Sequence, residues 1–197
     1  MNIYAYQRQV IAYHGCDRKT FDDVLLHGER LRPSERPWDW LGRGIYFWEH
    51  GPERASQWAT EKRAKGDIQE AAVLGAFIQL GNCFDLLDTR YTGLLAQAWP
   101  QLLESLKTTG KRLPENLPGG PNDRDTLVRR LDCFVLNWTL ERLEKASDTR
   151  FDSVRGIFEE GQPAFPGSMI HTKSHIQIAI RNPACIVGFF SPNSPNS

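Results

Sequence analysis

Three short stretches of this 197-residue chain place polar or ring-bearing side chains beside glycine or along one strand face, where chemistry has use for them. In Tyr13-His14-Gly15 the histidine stands at the end of an apolar run. Its imidazole offers a donor and an acceptor, and the glycine leaves its backbone N–H and C=O open to a planar ligand. In Gly44-Ile45-Tyr46-Phe47 a tyrosine follows a glycine turn, so its ring face is available to a flat, electron-poor heterocycle. In Ser174-His175-Ile176-Gln177-Ile178-Ala179-Ile180 the alternation sends three isoleucines to one side. His175, Gln177 and Ala179 share the other side, as the lining of a cleft would. Taken singly, each stretch also has an ordinary reading: a turn, a core tyrosine, a strand with one wet face.

These residues need elements to position them. Val10–Tyr13 reads as a strand running into a turn at His14-Gly15. Phe21, Val24 and Leu25 have helical spacing, with Thr20 as N-cap, Asp23 completing a capping box and Gly28 as the C-terminal stop. A polar loop from Arg32 to Pro37 leads to the aromatic cluster Trp38-Asp39-Trp40, and Gly42–Phe47 is a glycine turn entering a β-segment. Pro52 opens a helix with Ala55, Trp58 and Ala59 facing inward, ended by Gly66. Ala72–Leu80 is a buried strand, broken at Gly81-Asn82. Leu94, Leu95, Leu102, Leu103 and Leu106 mark an amphipathic helix, kinked or split at Pro100. Gly110 to Asp123 is a loop. Arg124 to Lys145 is a helix with Leu127, Leu131, Val135 and Trp138 on one face. Strands follow over Ser153–Phe158, His175–Ile180 and Ala184–Phe190, and the Ser/Pro/Asn tail 191–197 is flexible. The pattern is α+β, with two small packed sheets and helices inserted at about 90–150 in a single domain of residues 1–190.

Bulk properties narrow the function classes. Lys+Arg and Asp+Glu both number 24, so the chain lacks the overall positive charge of a strong nucleic-acid binder. Cys16, Cys83, Cys133 and Cys185 are scattered, without CxxC or Cys/His metal-ligand spacing, as free thiols in a reducing compartment would be. No metal and no membrane partner are expected, since no apolar run spans a bilayer. The start MNIYAYQRQV has no basic region followed by an apolar one, so the expected location is cytoplasmic.

In order and spacing, His14-Gly15, Phe21, Val24-Leu25, Gly28, Leu31 and Gly42-x-Gly44-Ile45-Tyr46-Phe47 resemble poly(ADP-ribose) polymerases, of the diphtheria-toxin-like ADP-ribosyltransferase superfamily. The resemblance is strong over residues 10–60 and loose over 153–190, and residues 85–150 show none. Trp40-Leu41-Gly42-Arg43-Gly44-Ile45-Tyr46-Phe47-Trp48-Glu49 also looks like bacterial ADP-ribosyltransferase-like proteins, some of them toxins. It implies an ADP-ribosyltransferase-like fold whose two sheets form an NAD cleft. It also implies a reaction: cleavage of the nicotinamide–ribose bond of NAD, the co-substrate, and transfer of ADP-ribose to a protein or RNA acceptor. An antitoxin or immunity protein would be a further partner. His14 would bind a ribose hydroxyl, Gly15 the carboxamide, and Tyr46 would stack on nicotinamide. Ala55 would let the next helix close on the same wall, and His175 would line it.

The chain departs from the family in its third element, a glutamate opening the late strand. Gln177 is the first choice for that position, but it carries no charge to steady an oxocarbenium-like state. Glu160 is the favoured substitute carboxylate, beside Gly161, with Glu159 and Glu49 behind it, and His175 also remains open for the third position. The family's second stacking ring and its amide-binding serine fall by register on Gln57 and Arg54. Trp58 is turned about 100° from that position on a helix, and Trp48 is another option. Arg54 or Arg43 would meet the pyrophosphate. Mono-transfer is expected, because no second ADP-ribose site and no intact glutamate are evident. The alternatives are an NAD- or ADP-ribose-binding pseudoenzyme, an RNA 2′-phosphotransferase relying on Arg155 and Arg43, and a protein that binds partners through its middle helices.

Overall fold

The structure, a computed structural model, describes residues 8–119 and 125–192. Strand β1 (Gln9–Asp17) runs straight through His14-Gly15 rather than ending there. Asp17, not Thr20, caps helix α1 (Arg18–His27), its carboxylate accepting from the Lys19 N–H. With the cap at Asp17, Asp23 lies too far along the helix for the expected capping box and pairs with Lys19, while Gly28 closes the helix at φ 69° as anticipated. Strand β2 (Ile45–Glu49) follows the loop, and α2 (Pro52–Ala64) buries Ala55 and Ala59. Strands β3 (Ala71–Gln79) and β4 (Cys83–Asp85) come next; the second of these is short and has no sequence signal.

Helix α3 (Thr89–Thr109) is not split at Pro100; the chain stays helical through it and forgoes one backbone hydrogen bond. A two-stranded ribbon, β5 (Asn116–Leu117) with β6 (Val128–Arg129), occupies part of the expected loop and helix. Accordingly α4 begins later than expected and spans Arg130–Ser147. It buries Cys133, Leu136 and Leu140, not the expected Leu127, Leu131, Val135 and Trp138 stripe. Residues 120–124 of the expected loop and helix start, and the first seven and last five residues of the chain, lie outside the described residues. The late strands β7 (Ser153–Phe158) and β8 (His175–Ile180) have the expected bounds. A 3-10 turn at Pro183–Cys185 shortens β9 to Ile186–Phe190.

The expectation of two packed sheets is corrected. Seven strands form one mixed sheet, in the order β4-β7-β8-β2-β1-β3-β9, with only β4 and β7 parallel. One seam in it is weak. Strands β1 and β3 pair along nine residues, and β2 and β8 along five, yet β1 and β2 pair only at Ala12↔Glu49 and Tyr13↔Trp48. Beyond Tyr13 the two strands part, and the sheet forks.

Helices and loops cover the sheet through two apolar clusters. One joins Val10, Ala12, Ile45, Phe47, Leu74, Ile78, Ile178 and Ile180 to α1. The other joins Leu41, Phe84, Val154 and Ala179 to Tyr91 of α3 and to Leu136 and Leu140 of α4. Between the strands lies a buried charge network: Arg155 binds Glu49 (2.5 and 3.1 Å) and Asp85 (3.1 and 3.3 Å). All four cysteines are free and buried. Burial pushes the Cys16 and Cys83 thiols up to about 12 and those of Cys133 and Cys185 up to about 11, which leaves almost no thiolate for nucleophilic chemistry. Among the described residues, no helix is long and apolar enough to cross a membrane, and no cluster of His, Cys, Asp or Glu is arranged to hold a metal ion.

Candidate functional site

The fork in the sheet opens a cleft of about 420 Å³, a size that suits a small-molecule ligand. Its wall includes His14 and Gly15 of β1, Tyr46 and Trp48 of β2, Gln177 of β8, and Arg54 and Trp58 of α2. Trp40, Phe158 and Glu160 also line it, as do the acidic residues Asp39 and Glu61. Four of the sequence-derived candidates, His14, Gly15, Tyr46 and Gln177, therefore meet in one place from three strands.

Strand alternation fixes what Gly15 presents. The Leu80 N–H donates to the Arg8 carbonyl, so even-numbered residues of β1 turn their peptide groups toward β3. The His50 N–H donates to the Ile11 carbonyl, so odd-numbered residues face β2. The N–H and C=O of Gly15 thus point into the gap that β2 has left. Behind it, α2 lies so close that an added Cβ would sit 2.4 Å from the Ala55 carbonyl oxygen and 3.1 Å from Cε3 of Trp58. This contact bears on two expectations: α2 does close on this wall at Ala55, and Trp58 is not turned away from it. Ala55 is fully buried under Gly15 and packs there without lining the cleft. Trp58, expected to turn away, reaches the cleft, whereas Gln57 is exposed outside it.

The protonation states of the two histidines follow from their partners. Nδ1 of His14 lies 2.7 Å from the Tyr46 carbonyl, which only accepts, so this nitrogen carries the proton. Burial lowers the His14 pKa from its ordinary value, outweighing the hydrogen bond that raises it. The ring is then neutral, with Nε2 left as an acceptor. His175 is also lowered, chiefly by burial, and its Nδ1–H donates to the Lys173 carbonyl at 2.6 Å. Its Nε2 accepts from the Gln177 amide at 3.0 Å. The Trp40 indole N–H donates to the Gln177 carbonyl oxygen at 2.7 Å. Each bond in this chain has a defined direction, and Gln177 keeps one N–H and one lone pair uncommitted. His175 does not line the cleft; it stacks on Phe158 (5.5 Å, 17°) and supports Gln177 from behind.

Tyr46 offers its ring and not its hydroxyl. The hydroxyl donates to the Gly42 carbonyl at 2.8 Å and accepts from the Leu41 N–H at 3.0 Å. Burial pushes its pKa well above the ordinary value, so it is no proton-transfer group near neutral pH. Arg43 is exposed, pairs with Glu35 at 3.2 Å and is not among the residues of the cleft wall, so the expected dinucleotide contact is withdrawn. Glu49 is committed to Arg155 and Arg8, also away from the cleft.

Glu160 is in the cleft wall, with a qualification. Both its oxygens accept from Nη2 of Arg54, at 2.8 and 2.7 Å, and both side chains are about nine-tenths buried. Sequence reading missed that this pair forms, and it missed the part of Trp40. The signal for Trp40 was Gly156 within β7: any Cβ there would lie 2.7 Å from the indole, and Gly156 is the cross-strand neighbour of Gln177.

No protein-family model matches the chain, and no solved structure matches it. The chain is similar to an uncharacterized protein of Methanocaldococcus jannaschii, with 29% identity over 157 residues. That match covers 78% of this chain and 66% of the archaeal protein, so the chain spans just under two thirds of its relative's length. A likeness of this degree to an uncharacterized protein carries no activity across.

Proposed function

We propose that the protein is an NAD-dependent mono-ADP-ribosyltransferase with an ADP-ribosyltransferase-like fold. One observation carries the reading: the His14 imidazole, the open peptide edge of Gly15, the Tyr46 ring and the Gln177 amide converge on a single cleft. These are the residues that the resemblance to the family singles out, and they come from strands far apart in sequence. In this reading the Gly15 N–H and C=O pair with the nicotinamide carboxamide, one as donor and one as acceptor. The Tyr46 ring stacks on the pyridinium, and His14 Nε2 accepts from a ribose hydroxyl. Gln177 holds the nicotinamide ribose through its uncommitted lone pair. The bond from the ribose anomeric carbon to the pyridinium nitrogen breaks, and nicotinamide leaves with the electron pair. An acceptor nucleophile on a protein or RNA then adds to that carbon and loses its proton to solvent. Most of the rate comes from holding the two reactants in line.

Incubation with NAD and cell extract, followed by measurement of nicotinamide release, tests the proposal. Release by the wild type and its loss in a folded Tyr46→Ala variant are expected. Failure of NAD to bind in calorimetry overturns it. A second reading is favoured by one observation: both oxygens of Glu160 are engaged by Arg54, and Gln177 is uncharged, so neither of these two candidates for the third position offers an uncommitted carboxylate. Tight NAD binding without nicotinamide release supports that reading, a dinucleotide-binding pseudoenzyme.

A further inference from the structure

Among the described residues, four buried side-chain polar atoms lack a hydrogen-bond partner, and three of them belong to two residues that line the cleft. They are Nε and Nη1 of Arg54 and Nε1 of Trp48. Orphaned buried donors are costly and uncommon, so their gathering at one place calls for a ligand. The two side chains are neighbours, with the guanidinium carbon 5.9 Å from the Trp48 ring centre. Trp48 is itself wedged between Trp58 (5.8 Å) and His175 (6.2 Å), which limits its freedom to turn.

We infer that Arg54 and the Trp48 indole form a donor cradle for an oxyanion of the ligand, and that Glu160 is the positioning residue that holds this cradle in place. Glu160 takes only Nη2, leaving the other two guanidinium nitrogens for the ligand. All three orphan groups donate. A carboxamide, half of whose edge is itself a donor, suits them less well than phosphate or carboxylate, whose oxygens only accept. Resting on the dinucleotide reading above, the matching group is the pyrophosphate. Without that reading, the chemistry is still an oxyanion, of phosphate or of carboxylate. Glu160 is then an anchor for a cation and not the carboxylate that steadies the reacting sugar.

Calorimetric titration of the full chain with inorganic pyrophosphate, nicotinate and nicotinamide tests this inference. Pyrophosphate binding is expected to weaken about tenfold or more in Arg54→Met, as loss of charge-assisted donors implies. Trp48→Phe, which keeps a ring and removes the N–H, is expected to weaken it several-fold and decides the matter if the arginine variant does not fold. Nicotinamide affinity should not change. If nicotinate, not pyrophosphate, shows the Arg54 dependence, the cradle stands with carboxylate as its oxyanion. Glu160→Ala should weaken oxyanion binding and Glu160→Gln should restore part of it, which a purely structural role would not do. Wild-type affinity for both anions in folded Arg54→Met and Trp48→Phe overturns the cradle, and tighter binding in Glu160→Ala overturns the positioning role. The two proposals fail separately: NAD binding that survives Arg54→Met but not Tyr46→Ala sinks the cradle alone. Arg54-dependent pyrophosphate binding without NAD binding sinks the dinucleotide reading alone.

Discussion

Gly15→Ala puts one methyl group where the architecture of the cleft is most constrained. That carbon would lie 2.4 Å from the Ala55 carbonyl oxygen. A carbon and an oxygen in contact sit about 3.3 Å apart, so α2 must retreat by roughly 0.9 Å or the strand must bend. The partner is helix backbone and not a flexible side-chain end, so neither adjustment is easy. Overpacking of this kind typically costs about 1–3 kcal/mol. The functional effect should be larger in proportion. Arg54 and Trp58 ride on the same helix turn, and a displacement of about 1 Å at a positioning group is enough for a loss on the order of 100-fold. Urea unfolding and nicotinamide release measured on the same preparation check both parts. Gly93→Ala is the control: it lies inside α3, with nothing within 4 Å of an added Cβ, and should stabilise the protein by about 0.5–1 kcal/mol without touching turnover. A Gly15→Ala protein with wild-type stability and wild-type turnover would refute the reasoning, because α2 would then have room to spare against β1.

Three further outcomes follow from the same geometry. His14 and His175 both have folded pKa values lowered by burial, so the folded state favours their neutral forms. Their contribution is in full force above the unfolded value near 6.5 and is lost as pH falls through the folded values, with a slope of at most about 1.4 kcal/mol per pH unit for each histidine. Urea titrations between pH 7.5 and 5.5 should show this decline, and a flat profile contradicts it. NAD affinity should hold through that range and fall only at lower pH, where the folded His14 itself takes up a proton and loses its Nε2 acceptor; His14→Asn should lose affinity and also its pH dependence, as read by calorimetry. Arg155→Met should cost about 3–5 kcal/mol, because it leaves buried Asp85 without its cation and buried Glu49 with the half-exposed Arg8 alone. Adding Glu49→Gln and Asp85→Asn should recover much of that loss, and a single-variant cost below about 1 kcal/mol in urea unfolding contradicts the account.

What the sequence reveals here depends on how far apart the partners lie. β7 and β8 have their expected bounds because burial and alternation are properties of six consecutive residues. The glycine stop at Gly28 and the proline start at Pro52 are local as well. His14, Tyr46 and Gln177 were legible through the order of motifs, not through any physical link between them. The start of α4 was misread because a leucine at 127 fits a helical stripe, while the ribbon that holds residues 128 and 129 is formed with Asn116 and Leu117 across the chain. The contacts that define the cleft chemistry are more remote still. Arg54 and Glu160 are 106 residues apart, and Trp40 and Gln177 are 137 apart. Nothing in the sequence around Arg54 and Glu160 marks their pairing, and the one trace of Trp40 is Gly156, on the strand beside Gln177; the fork, a missing ladder, leaves no pattern of its own.

That fork explains how a site of this kind arises in a continuous sheet. A closed β1–β2 ladder would consume the Gly15 peptide groups and leave no gap. Instead the ladder stops after two pairs, and His14 supplies a substitute link, its imidazole N–H bonding the Tyr46 carbonyl that a strand would otherwise have met. The substitution keeps the carbonyl satisfied while holding the strands apart, and it leaves the second ring nitrogen at the opening. The same histidine thus maintains the gap and lines it. Replacing it should act on both, with loss of a contact for the ligand and loss of the strut that keeps the edge of Gly15 accessible. Its effect on binding should therefore exceed that of one hydrogen bond, about 0.5–1.5 kcal/mol.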